Sequence, residues 1–301
     1  MRKFIYILLV CFISVPVMVT AQVKDKIEKA YALYNAGELN AAAEAINEVV
    51  EMNEGKTSKV AWHIRGFIYK DIYVEHEEND LFSPAREEAL ISHKNCIAND
   101  PEGSLVEQSR NAIKYLSVSF YNDAIEIIDA RDTLTMDDAS ILYNKYKKVT
   151  LYLYPDSVMT EKDIEFYLAM STAHRKIYER NRELGDKHWG ISNDYLKKVL
   201  DLDPENWPAL YSTSVAHYNK GAYNLDKLPE AQGITDIYRI EAESMRSIQM
   251  ALPFMIKAYQ INPEKIEAVK GLKTIYINLD REEESKEMRE LELKLEETKK
   301  H

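Results

Sequence analysis

Cysteine, glycine and proline are all scarce in this chain of 301 residues, and each shortage removes a class of fold. Of two cysteines, Cys11 sits in an N-terminal apolar run, so Cys96 is alone in the rest and no internal disulfide can form there. Stability must then come from core burial, which this length permits. Nine glycines, nine prolines and almost no Val/Ile alternation do not suit an all-β plan with its many tight turns. No segment is a basic stripe, and 39 Lys and Arg face 50 Asp and Glu, for a net charge of −11. Nucleic acid and anionic membrane surfaces need local positive potential, so neither is expected as a partner. Also missing are H-E-x-x-H, G-x-S-x-G and a phosphate-cradling glycine loop. The expectation is a chain that is not an enzyme and uses no cofactor.

What is present begins with "MRKFIYILLVCFISVPVMVTAQ". Arg2 and Lys3 supply charge, Phe4 to Val19 an apolar run broken by Pro16, and Val19-Thr20-Ala21 the small residues a signal peptidase reads. Residues 1–21 are expected to be a cleaved signal peptide, which predicts a periplasmic, cell-envelope or secreted protein without direct membrane insertion after cleavage. Val10 stands before Cys11 where a lipidation motif wants a small residue, so lipidation at that site is rejected. Without the two basic residues of the signal the balance is 37 basic against 50 acidic, a net −13.

From there apolar residues recur at helical spacing to the end, which predicts an all-α fold. Helices pair into about six antiparallel hairpins, near 24–53, 58–101, 104–155, 161–204, 207–263 and 266–300. Gly37 falls in the first short turn, Ser83 is a predicted N-cap before Pro84, and Pro253 is expected to kink its helix or mark its start. "YNAGE" and "YNKGA" read as equivalent ends of first helices, with Gly221 opening an insertion of about two dozen residues.

Second helices close on a proline after an acidic or amide residue, at Pro101, Pro204 and Pro263, with a weaker form at Pro155. Trp62, Gly66 and Tyr69 precede Ala89 and Pro101; Ala30, Gly37 and Ala42 form a similar set, as do Ser214, Ala251, Ala258 and Pro263. These segments resemble the tetratricopeptide repeat. The closing prolines are 54, 49 and 59 residues apart rather than 34. The resemblance implies a right-handed α-solenoid whose first helices line a concave, protein- or peptide-binding surface. Carried onto this sequence, that surface would hold Tyr31, Tyr34 and Asn35, then His63, Phe67, Lys70 and Asp71, and then Tyr211, Val215, Tyr218 and Asn219. Tyr31, Phe67 and Val215 stand where a carboxylate clamp wants asparagine, so no such clamp is predicted.

The expected function is an exported scaffold for a protein or peptide partner, with self-association left open. The alternative is a glycan- or nutrient-binding accessory subunit of an outer-membrane uptake system, in which Trp62, Trp189 and Trp207 would stack on sugars. Packing is the favoured role of those tryptophans. "EHEEND", residues 75–80, reads as a solvated acidic loop, with no metal site expected. Cys96 reads as a buried thiol, and no residue at a diagnostic spacing makes a catalytic base of His174.

Overall fold

A computed structural model describes residues 22–180 and 185–298, with 185 and 186 described by their backbone alone. The expected signal segment, 1–21, lies outside the described residues. Helix α1 covers 22–35. It is followed by α2 (Leu39–Glu51), the single turn α3 (Asn53–Lys56) and α4 (Lys59–Ile72), which a π-helical turn continues to Glu77. Next come α5 (Pro84–Asn99), α6 (Val106–Ala130), α7 (Met136–Leu153), α8 (Thr160–Arg180) and α9 (Gly185–Leu202). The chain goes on through α10 (Trp207–Leu225), α11 (Ile234–Ile261), α12 (Ile266–Asn278) and α13 (Glu282–Thr298). The described residues contain no strand, and none of their helices is long and apolar enough to cross a membrane.

Cross-helix contacts make each pair antiparallel, because one partner's number falls as the other rises. Ser171 meets Ser192 and His174 meets His188; Ser214 reaches Ala251 and Gly221 reaches Ser244. The sequence suggested a single array, and contacts gather the chain into two compact units, the first ending at Ser157 and the second starting at Val158.

Turns repeat with the prolines. The residue before proline is disfavoured in the α region, and Asp100, Tyr154 and Asn262 leave it, at φ −159°, −135° and −143°. Each then closes a turn by accepting a hydrogen bond three residues on, from Gly103 (3.1 Å), Ser157 (3.1 Å) and Lys265 (3.2 Å); Asp203 accepts likewise from Asn206 (3.1 Å). The sequence form at Pro155 looked weaker, yet its turn matches the others. Helix starts are capped by side chains: Ser58, Ser83 and Asn206 accept from the backbone N–H of Ala61, Arg86 and Ala209. Each such cap is worth about 1 kcal/mol.

Small residues sit where helices cross. Ala30, Ala42, Ala89, Ala251 and Ala258 are fully buried, while Pro101, Pro204 and Pro263 lie exposed in their turns. Gly37 takes φ +79° in the first turn, a conformation costly for other residues. Gly221 departs from the sequence expectation. It lies inside α10, not in a turn, and a Cβ there would meet Ile248 Cγ1 at 2.7 Å and the Ser244 carbonyl at 2.8 Å. It serves close helix approach, so "YNAGE" and "YNKGA" are not equivalent: one ends a helix and the other continues through it. Pro253 likewise does not start its helix, since α11 begins at Ile234. Pro253 and Gln249, whose carbonyl it leaves without a helical donor, both lie exposed, where water can satisfy that carbonyl.

A buried charge braces the first unit. Arg86 is fully buried, donates to Asp123 Oδ2 (2.5 Å), Leu81 O (2.5 Å) and Ser119 Oγ (3.2 Å), and lies 4.0 Å from the centre of the Phe120 ring.

Candidate functional site

In the first unit the opening helices of three hairpins share a face. Tyr34 of α1 donates to Asp71 Oδ2 of α4 (2.5 Å), and Lys70 of α4 lies 5.9 Å from the ring of Tyr115 on α6. Lys70 also pairs with Asp71 Oδ1 (2.7 Å) and sits 5.6 Å from the Phe67 ring. Burial first, then the Asp71 carboxylate, push the Tyr34 phenol well above its ordinary range. Tyr31 is 50% exposed and Tyr115 47%, and Asn35 is exposed at the end of α1. Tyr31, Tyr34, Lys70 and Asp71 are thus brought together, and Tyr115 joins them unannounced by the sequence.

His63 and Phe67 face inward by comparison. Phe67 packs edge-on against both His63 and His93 at 4.9 Å, and each imidazole places Nδ1 3.3 Å from Ser109 Oγ. Burial lowers the pKa of His63, and it lowers that of His93 to about 3. The close approach that buries His93 is set by Gly66, whose missing Cβ would stand 2.6 Å from the imidazole. Trp62 is half-buried, its Nε1 donating to Lys56 O (2.8 Å), and Tyr69 accepts from Asn47 (2.8 Å) beneath the Arg65 guanidinium.

The second unit carries the corresponding face on α8, α10 and α12. Two clefts open on either side of exposed Asn219. One, of about 130 Å³, lies between Arg175, Tyr178 and Glu179 of α8, Trp189 of α9 and Asn219. The other, of about 280 Å³, lies between Tyr211, Val215, Tyr218 and Asn219 of α10 and Glu267, Lys270 and Thr274 of α12, with Met255 beneath. Tyr211, Val215 and Tyr218 also pack on the core of Ile248, Met255 and Leu272, and Tyr218 OH accepts from Asn278 (3.2 Å). These side chains therefore serve packing and cleft wall at once.

The tryptophans are engaged by the chain itself. Trp189 donates to Ala216 O (3.3 Å) beneath Lys220, 3.9 Å from its ring. Trp207 stacks on Tyr211 at 5.0 Å with Lys265 4.7 Å from its centre. Of the acidic segment expected to be a loop, residues 75–77 belong instead to the π-helical turn, where Glu77 accepts from Ser83 Oγ (2.7 Å) and the Ala85 N–H (3.0 Å) and braces the start of α5. Among the described residues no group of three or more His, Cys, Asp or Glu is arranged to hold a metal. His174 is buried with Nδ1 2.9 Å from Nδ1 of His188, and Cys96 is a free buried thiol.

Arg86, Tyr115, Glu267 and Lys270 escaped the sequence reading. Arg86 and His93 follow the same apolar stripe as Ala89, Leu90 and Cys96, so a polar residue on that stripe was the available signal. The other three lie on helix faces that neighbours turn into walls, which sequence spacing does not record.

No protein-family model matches the sequence, and no curated protein matches it. Solved structures similar to the chain include a tetratricopeptide-repeat protein from Bacteroides fragilis, at 15% identity over 85% of this chain and 98% of that one, with a TM-score of 0.44. MamA is similar at 16% identity, over 78% of this chain and 93% of its own, with a TM-score of 0.35. YrrB, a tetratricopeptide-repeat protein with an unusual peptide-binding site, is similar at 13% identity over 84% and 93%, with a TM-score of 0.33. The hairpin architecture stands on the chain's own contacts.

Proposed function

We propose that this chain is an exported scaffold that holds segments of a partner protein on the first-helix face of each of its units. One observation carries the reading: aromatic and amide side chains stay accessible on that face between helices whose packing is already complete. Tyr31 and Tyr115 are half exposed, and Asn219 stands between two clefts. Tyrosine gives large contact area with a polar tip at low entropic cost, and an asparagine amide offers a donor and an acceptor to an extended backbone. Export rests on the pattern of residues 1–21.

Site-specific photo-cross-linking in intact cells tests this. Cross-linkers at Tyr31 and Asn219 are expected to trap one recurrent protein. The same groups at Lys148 of α7 and Asp201 of α9, exposed on second helices, are expected to trap none of it. Equal trapping from all four positions would contradict the assignment of the binding face.

A further inference from the structure

We propose that the larger cleft of the second unit, between α10 and α12, receives a lysine or arginine side chain of the bound segment. The proposal rests on the first-helix face being the binding face. The cleft holds about 280 Å³, and its lining runs from buried Met255 through half-buried Val215, Tyr211 and Tyr218 to exposed Glu267. Val215 and Met255 are apolar, Tyr211 and Tyr218 are aromatic, and Glu267 adds a carboxylate in the first turn of α12. That order suits a long cationic side chain, whose methylene stem is apolar and whose head prefers aromatic rings, carboxylate and water.

The charges favour a cation over other occupants. Lys270 also lines the cleft, but Glu296 (2.9 Å) and Glu292 (3.7 Å) hold its ammonium group, and Glu292 is shared with Lys273 (2.5 Å). Among the described residues no lysine or arginine pairs with Glu267, so it is the carboxylate open to an incoming charge. Its influence reaches the cleft wall, since the Tyr211 phenol is raised by burial first and by Glu267 next. The same wall already receives a cation of the chain's own, Lys265 over Trp207, which stacks on Tyr211. An acidic side chain would meet Glu267 with like charge, a purely apolar one would leave that carboxylate unused, and the chain's net charge of −11 draws cationic segments in general.

Ligand-observed NMR on the full chain tests the proposal with four small probes: the N-acetyl amides of arginine, lysine, leucine and glutamate. The arginine and lysine derivatives are expected to bind roughly fivefold or more tightly than the leucine derivative, with no binding of the glutamate derivative. Glu267→Gln, a change at an exposed position, is expected to remove about fivefold of the arginine affinity and most of its salt dependence. Equal binding of arginine and leucine derivatives, or an arginine preference that survives Glu267→Gln, overturns the proposal. If no derivative binds while a cross-linker at Asn219 still traps the partner, the cation cleft is wrong and the binding face stands. If neither occurs, both fall.

Discussion

His93 is fully buried, and its chemistry gives the first prediction. Burial lowers its folded pKa from the ordinary 6.5 to about 3, so the folded state holds it neutral while the unfolded chain protonates it. The stability it supports is complete above about pH 6.5 and is lost as pH falls toward 3. Between pH 7.5 and 5 that loss is about 2 kcal/mol. Urea titrations at the two pH values are expected to show it, and His93→Gln is expected to show a shallower decline, to which His63 and His217, also lowered by burial, contribute. Gly66 gives the second prediction: with the imidazole 2.6 Å from the position of a Cβ, Gly66→Ala is expected to cost about 1–3 kcal/mol in the same titration. Asp123→Ala would leave the fully buried Arg86 guanidinium without its counter-charge, for an expected loss of about 3 kcal/mol or more by chemical denaturation. The glycine was legible as a small slot in the sequence. What it faces was not, because a residue's partner across a hairpin is set by register that no local pattern prints.

At the scale of elements, the hairpins follow from helical periodicity, caps and closing prolines, all read directly from residue order. The turn at Pro101 could be written from "ANDPEG" alone. Gly221 shows where that legibility ends. A glycine after Tyr-Asn reads as a turn, but a neighbouring helix approaching within contact of its α-carbon keeps it helical, and only tertiary packing distinguishes the two. The same tightness predicts that Ala42→Phe or Ala258→Phe, each at a fully buried site, lowers stability by about 1–3 kcal/mol through overpacking, visible as a lower thermal midpoint. Arg131 offers the opposite sign. It closes α6 in the left-handed region at φ 52°, where glycine is favoured, so Arg131→Gly is expected to raise the midpoint by an amount equivalent to several tenths of a kcal/mol.

For the whole molecule, apolar residues at helical spacing predict an all-α chain, and the lack of a disulfide pair leaves its stability to core burial. Two compact units of paired helices are what the contacts show. The proposed binding face is only half legible in the sequence. The repeat resemblance implies a shared face for Tyr31, Tyr34, Lys70 and Asp71, and for Tyr211, Val215 and Tyr218, but Tyr115 and Glu267 enter through neighbouring helices. A clefted face built by successive helices, and not any single motif, is therefore the central claim. It is tested most directly by the affinity of the cross-linked partner, purified, for the wild-type chain and for Tyr34→Ala and Tyr218→Ala. Each replacement is predicted to weaken binding about tenfold with the helical circular dichroism unchanged, as truncation of an aromatic anchor does. Unchanged affinity in both variants, at retained helicity, would contradict it.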